Sequence, residues 1–113
     1  DANKLLIISD SMALTGLSDG WYEFYNQTLA KTKTRSRLPD GNFFGGALTL
    51  PHCMNRLAKE AGISWGTIGE SVWRNPCDFL GITAPDAKIY FDTDMNWIAT
   101  QHEGVWYRPV QQD

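Results

Sequence analysis

A chain of 113 residues with a net charge of −3 and a pI near 5.2 has room for one domain with a modest core, but not for a complete (β/α)8 barrel. Its acidic balance disfavours a partner gripped by its phosphate backbone, so nucleic acid is not expected. No apolar run approaches the roughly 20 residues that cross a bilayer, and the first residues lack the basic-then-apolar plan of a signal peptide. A soluble cytoplasmic protein with no membrane partner is the expectation. Cys53 and Cys77 form neither a CxxC pair nor a dense framework, and they read as reduced thiols.

Leu5-Leu6-Ile7-Ile8 is a continuous apolar run with two β-branched residues, the pattern of a strand buried on both faces in a parallel sheet. It stops at Ser9-Asp10. Ligands meet such sheets at the C-terminal ends of their strands, which makes Asp10 a candidate acid or base; an aspartate after a strand also serves as a turn cap. Ser18-Asp19-Gly20 signals a turn, residues 21–25 a short strand, and residues 26–39 a polar, mobile loop or weak hairpin arm. Lys31, Lys33, Arg35 and Arg37 place four cations within seven residues of that stretch, either as a holder for an anion or as solvated loop. Asp40-Gly41 is a second turn. The adjacent Gly45 and Gly46 free the backbone for close approach to a ligand or to a packed neighbour.

Thr49, with Pro51 in the first turn, opens the clearest helix. Leu50, Cys53, Met54, Leu57, Ala58 and Ala61 form its apolar stripe, and Gly62 closes it with Ile63 beyond. Ser64 caps a second helix, which ends at Asn75 because the residue before a proline avoids the helical region. Asn75 and Pro76 open a third, closed by Gly81. From Ala87 the period changes to two, which predicts three short strands with turns at 92–94 and at Glu103-Gly104.

Ser9-Asp10 followed by Gly16 and Asp19-Gly20, then Gly45-Gly46-Ala47-Leu48-Thr49-Leu50, come in a characteristic order. They continue with Ala61-Gly62-Ile63-Ser64, Val72-Trp73-Arg74-Asn75-Pro76, Leu80-Gly81-Ile82, and a tail from Pro85-Asp86-Ala87 through Gly104-Val105-Trp106-Tyr107. This set resembles the C-terminal portion of the metal-dependent amidohydrolases, and most of all the N-acetylglucosamine-6-phosphate deacetylase family. The resemblance implies an α/β fragment: the last strand-helix unit of a (β/α)8 barrel over residues 1–82, with C-terminal helices, and short β-strands of a small β domain over 83–113. It implies removal of acetyl from an N-acetyl amino-sugar phosphate. Asp10 would be the catalytic acid and base, and Phe43, Phe44 and Gly45 would contact the substrate. A divalent metal, zinc or iron, is implied for the complete enzyme.

This chain supplies no metal-ligand set of its own. Catalytic zinc takes about three clustered protein ligands, whereas His52 falls in the first turn of a helix and His102 in a hairpin turn, and each reads as a surface or capping residue. The first reading is thus a segment of an amidohydrolase, inactive alone, whose partner is the missing N-terminal barrel portion or a second copy. The alternative is a non-catalytic assembly or ligand-binding module derived from that fold. A free-standing small enzyme pairing Asp10 with Glu23 or Asp19 has no motif behind it. Five tryptophans are more aromatic surface than so small a core hides, which predicts an oligomer.

Overall fold

In the computed structural model, which describes residues 4–109, the chain divides into two units, Ile8–Cys53 and the residues on either side of that span. The first is built on a four-stranded antiparallel sheet in sequential order: β1 (Gly20–Phe24), β2 (Gln27–Lys31), β3 (Arg35–Arg37) and β4 (Phe43–Gly46). The pairing of Phe24 with Gln27 leaves only Tyr25 and Asn26 in the first turn, with φ of 47° and 59°. Positive φ at both central residues is the type I′ geometry that matches strand twist.

Residues 26–39 are therefore hairpin strands and turns rather than a mobile loop. Their polar composition conceals an inward alternation. Leu29 is fully buried, and Lys31, two residues on, is 6% exposed, its charge met by Asp19 at 3.2 Å. Ser36 of β3 is likewise fully buried. The Asp40-Gly41 turn forms as expected: Gly41 adopts φ of 87°, Leu38 N donates to Asn42 O at 2.9 Å, and Asp40 Oδ1 accepts from Asn42 N at 2.9 Å. Leu14, Leu29 and Ala47 make the apolar core of this unit.

The run 5–8 is a larger departure. It joins no sheet, and Leu5, Leu6 and Ile8 are exposed. A strand hidden on both faces needs a neighbour along each edge and cover above and below. Among the described residues no strand pairs with it: Ile7 N donates to Ser71 O at 3.0 Å and Leu5 O accepts from Asn75 Nδ2 at 2.8 Å, while the strands that form pair with their nearest neighbours in sequence.

The first helix, α1 (Leu50–Ala61), carries the boundary between the units. Thr49 stands at its cap, its carbonyl accepting from Cys53 N at 3.1 Å, and Gly62 leaves it at φ of 65°. In the second unit, α2 (Trp65–Gly69) is capped by Ser64, whose Oγ accepts from Thr67 N at 3.2 Å. The helix does not stop at Asn75. A π-helical turn, Glu70–Arg74, leads directly into α3 (Asn75–Leu80), with Asn75 at φ −60° and ψ −43°. The extra residue in the wide turn lets the chain pass Pro76 without breaking. Gly81, at φ of 67°, closes α3, and Ile82 N donates back to Cys77 O at 3.0 Å.

A second antiparallel sheet follows, with β5 (Ala87–Phe91), β6 (Trp97–His102) and β7 (Val105–Tyr107) in sequential order. The three expected strands are present, and Glu103-Gly104 turns between β6 and β7 with φ of 48° and 80°. Trp65 packs on Phe91 with ring centres 4.6 Å apart, and Ile68, Met54, Cys77 and Ala99 are buried in this unit. The fold is a small α/β arrangement with two antiparallel sheets. Among the described residues no helix is long and apolar enough to cross a membrane.

Candidate active site

The residues singled out for chemistry all lie in the unit Ile8–Cys53, where the backbone of Asp10 lies against Gly45 and Gly46. Asp10 adopts φ of 50°, the left-handed region that aspartate tolerates better than most side chains. Its carbonyl accepts from Gly46 N at 2.8 Å, and Met12 N reaches Gly46 O at 3.3 Å, so Ser11 pairs in parallel with the last residue of β4. The approach depends on the absence of a side chain at 46. A Cβ there would lie 2.5 Å from Ser9 O and 3.0 Å from Asp10 O. At Gly45 a Cβ would meet Met12 Sδ at 3.4 Å and Cγ at 3.5 Å, with Asp10 O at 3.7 Å, which is ordinary contact. The close approach of the glycine pair is thus to a packed neighbour, and that neighbour is the backbone of Ser9 and Asp10.

The turn after the run is capped by Ser9, whose Oγ accepts from Ser11 N at 3.2 Å, while the Ser11 hydroxyl donates to Leu48 O. Asp10 is exposed, and its carboxylate makes no hydrogen bond or ion pair among the described residues.

Phe43, Phe44 and Gly45 follow one another along β4. Phe43 is 65% exposed, with the Arg37 guanidinium 4.0 Å and the Arg35 guanidinium 5.4 Å from its ring centre. Such contacts are worth about 0.5–1 kcal/mol at exposed sites. Phe44 meets Phe24 edge-on at 6.0 Å. The four-cation stretch is therefore neither one anion holder nor free loop: Lys31 points inward to Asp19, Arg35 and Arg37 flank Phe43, and Lys33 is exposed. Arg35, Arg37 and Gly46 were the neighbours that sequence reasoning left out of this site. For the cations a signal existed, since residues 31, 33, 35 and 37 recur at the period of a strand.

His52 Nδ1 pairs with the Thr49 hydroxyl at 2.7 Å, in the first turn of α1. His102 is the last residue of β6, paired with Ala87 and Val105, and not part of the hairpin turn. Among the described residues no three His, Cys, Asp or Glu side chains gather as a metal-holding group. A divalent metal needs such a donor set, so the residues present do not fit one. The carboxyls with perturbed acidity belong to the second unit. Glu60 is held below its ordinary range by the hydrogen bond from Arg56, and Asp92 by the Asn96 amides.

No family model matches this chain. A deacetylase from Bacillus subtilis (strain 168) is 32% identical over 81 residues, 72% of this chain and 20% of that protein. The chain resembles the C-terminal portion of N-acetylglucosamine-6-phosphate deacetylases. The solved deacetylase from Thermotoga maritima shares the fold with a TM-score of 0.80, at 24% identity, over 96% of this chain and 32% of that one. A Mycobacterium smegmatis deacetylase solved with N-acetyl-D-glucosamine-6-phosphate gives a TM-score of 0.78 at 20% identity, over 94% of this chain and 31% of that one. The chain spans about a fifth of the length of the curated deacetylases it matches.

Proposed function

We propose that this chain is the C-terminal segment of a metal-dependent amidohydrolase that removes acetyl from an N-acetyl amino-sugar phosphate in the cytoplasm, and that it is inactive alone. The observation that carries this reading is the exposed carboxylate of Asp10, without a partner among the described residues, on a backbone that Gly46 holds beside the strand bearing Phe43, Phe44 and Gly45. The likeness to deacetylases over most of the chain supports it. In the complete enzyme, residues 1–82 belong to the barrel and 83–113 to the small β domain. The partner is the missing N-terminal barrel portion, or a second copy. The zinc or iron is held by residues outside this chain.

Asp10 takes the proton of the water that attacks the acetamide carbonyl and returns it to the departing amine, a role suited to a carboxylate with free lone pairs. Phe43 and Phe44 present an aromatic face to the sugar. The test is complementation with a polypeptide carrying the rest of the barrel, followed by assay on N-acetylglucosamine-6-phosphate. Asp10→Asn keeps size and turn geometry but removes the base. It is expected to lower kcat by about 10² or more while assembly persists. An assembled Asp10→Asn variant that turns over normally sinks the assignment.

A further inference from the structure

Within the unit Ile8–Cys53, one rung of a parallel ladder joins the backbone around Asp10 to the end of β4. Gly46 N donates to Asp10 O at 2.8 Å, and Met12 N to Gly46 O at 3.3 Å. The next residue, Ala47, turns its N–H the other way, to Thr34 O at 3.2 Å, so the Leu48 carbonyl again projects toward the segment that follows Asp10. A second rung at Leu48 would engage Met12 O and Leu14 N. Met12 O instead accepts from Thr15 N at 2.9 Å, because the chain turns there. The Ser11 hydroxyl donates to Leu48 O in place of that rung.

Asp10 has φ of 50°, a conformation that residues with a Cβ avoid because it crowds the backbone. Across it, Ser9 Oγ accepts from Ser11 N at 3.2 Å. The direction of the Cα–Cβ bond, and with it that of the carboxylate, follows from φ and ψ at this residue. Gly46 N fixes the carbonyl oxygen, but the peptide between Asp10 and Ser11 can pivot about that one bond unless Ser11 is held too. We infer that Ser11 is a positioning residue: by fastening the residue after Asp10 to the Leu48 carbonyl, its hydroxyl keeps Asp10 left-handed and aims the carboxylate. The catalytic part of this inference rests on the acid–base role proposed for Asp10, whereas the tie to Leu48 does not.

The test uses the complemented enzyme and two variants, Ser11→Ala, which removes the hydroxyl, and Ser11→Thr, which keeps it. Ser11→Ala is expected to lower kcat by about tenfold with KM unaltered, as a misaligned catalytic group does, and Ser11→Thr to stay within about twofold of the parent. Added to Asp10→Asn, Ser11→Ala should cost less than about twofold more, since a residue that acts through Asp10 then has nothing left to position. Amide hydrogen exchange at Met12 and Gly46 should accelerate by about tenfold or more in Ser11→Ala, with the buried Leu29 of the same unit unchanged. Parental kcat in Ser11→Ala overturns the positioning role, as does a Ser11→Thr variant as slow as Ser11→Ala, or a full further loss on top of Asp10→Asn. Parental exchange at Met12 and Gly46 overturns the tie, as does acceleration shared with Leu29, which would mark general loosening. If Asp10→Asn alone leaves turnover intact, the acid–base reading falls while the exchange data still judge the tie.

Discussion

Gly45 and Gly46 are neighbours of identical composition with different work to do. The place a Cβ would take at 46 is filled by backbone oxygens of Ser9 and Asp10, which cannot retreat without moving the strand. At 45 it meets the flexible end of Met12. Gly46→Ala is expected to destabilise the chain by about 1–3 kcal/mol, as overpacking against backbone does, and Gly45→Ala by clearly less. Urea midpoints at a constant m-value measure both, and equal losses would contradict the clash. In the sequence the pair announces a close approach but not to what. The partner of Gly46 lies 36 residues earlier, out of reach of any local pattern. Lys31 is similar: a lysine in a polar stretch reads as solvated, and only the inward register of β2 and the nearby Asp19 make its burial tolerable.

Among the elements, those closed by local chemistry were legible. Ser64, Gly62, Gly81 and the two glycine-containing turns at Asp40-Gly41 and Glu103-Gly104 act within a few residues of themselves. The turn between β5 and β6 belongs with them and carries a pH prediction. Asp92 accepts from Asn96 N at 2.8 Å and from Asn96 Nδ2 at 3.1 Å, which holds its carboxyl below the ordinary value of 3.8. A depressed folded value means that this turn contributes stability at pH above 3.8, and loses it as pH falls through the lower folded value. The Asn96 amide resonance should therefore titrate with a midpoint below the ordinary value of 3.8. Asp92→Asn should abolish that acid limb. A titration midpoint at or above the ordinary value would refute the turn's grip on the carboxylate. That the helix continues through Asn75 escaped sequence reasoning because it depends on a π-helical turn, in which Asn75 N donates to Glu70 O, five residues back.

At the scale of the whole molecule, large apolar side chains remain uncovered in both units. In one, Trp21, Tyr25 and Phe43 are exposed; in the other, Phe79, Leu80 and Ile82. Large apolar side chains left in water favour association, so the chain without a barrel partner is expected to sediment as a dimer or larger species at micromolar concentration. A well-folded monomer under those conditions would count against both the exposed surface and the need for a partner. The sequence by itself determined the opening and close of α1, the Ser64 start of α2, the Gly81 close of α3, the hairpin turns of the second sheet and the likeness to the end of a deacetylase. Each of these rests on side-chain and backbone groups a few residues apart, or on an ordered string of such groups. Only the tertiary structure decided that residues 26–39 are strands, that Lys31 turns inward, that the helix runs on through Asn75, that Gly46 fastens Asp10, and that the run 5–8 joins no sheet among the described residues. Every one of these depends on which distant backbone groups come to lie opposite, and in a sheet or a buried turn it is that pairing, not the residue's own propensity, that sets the free energy.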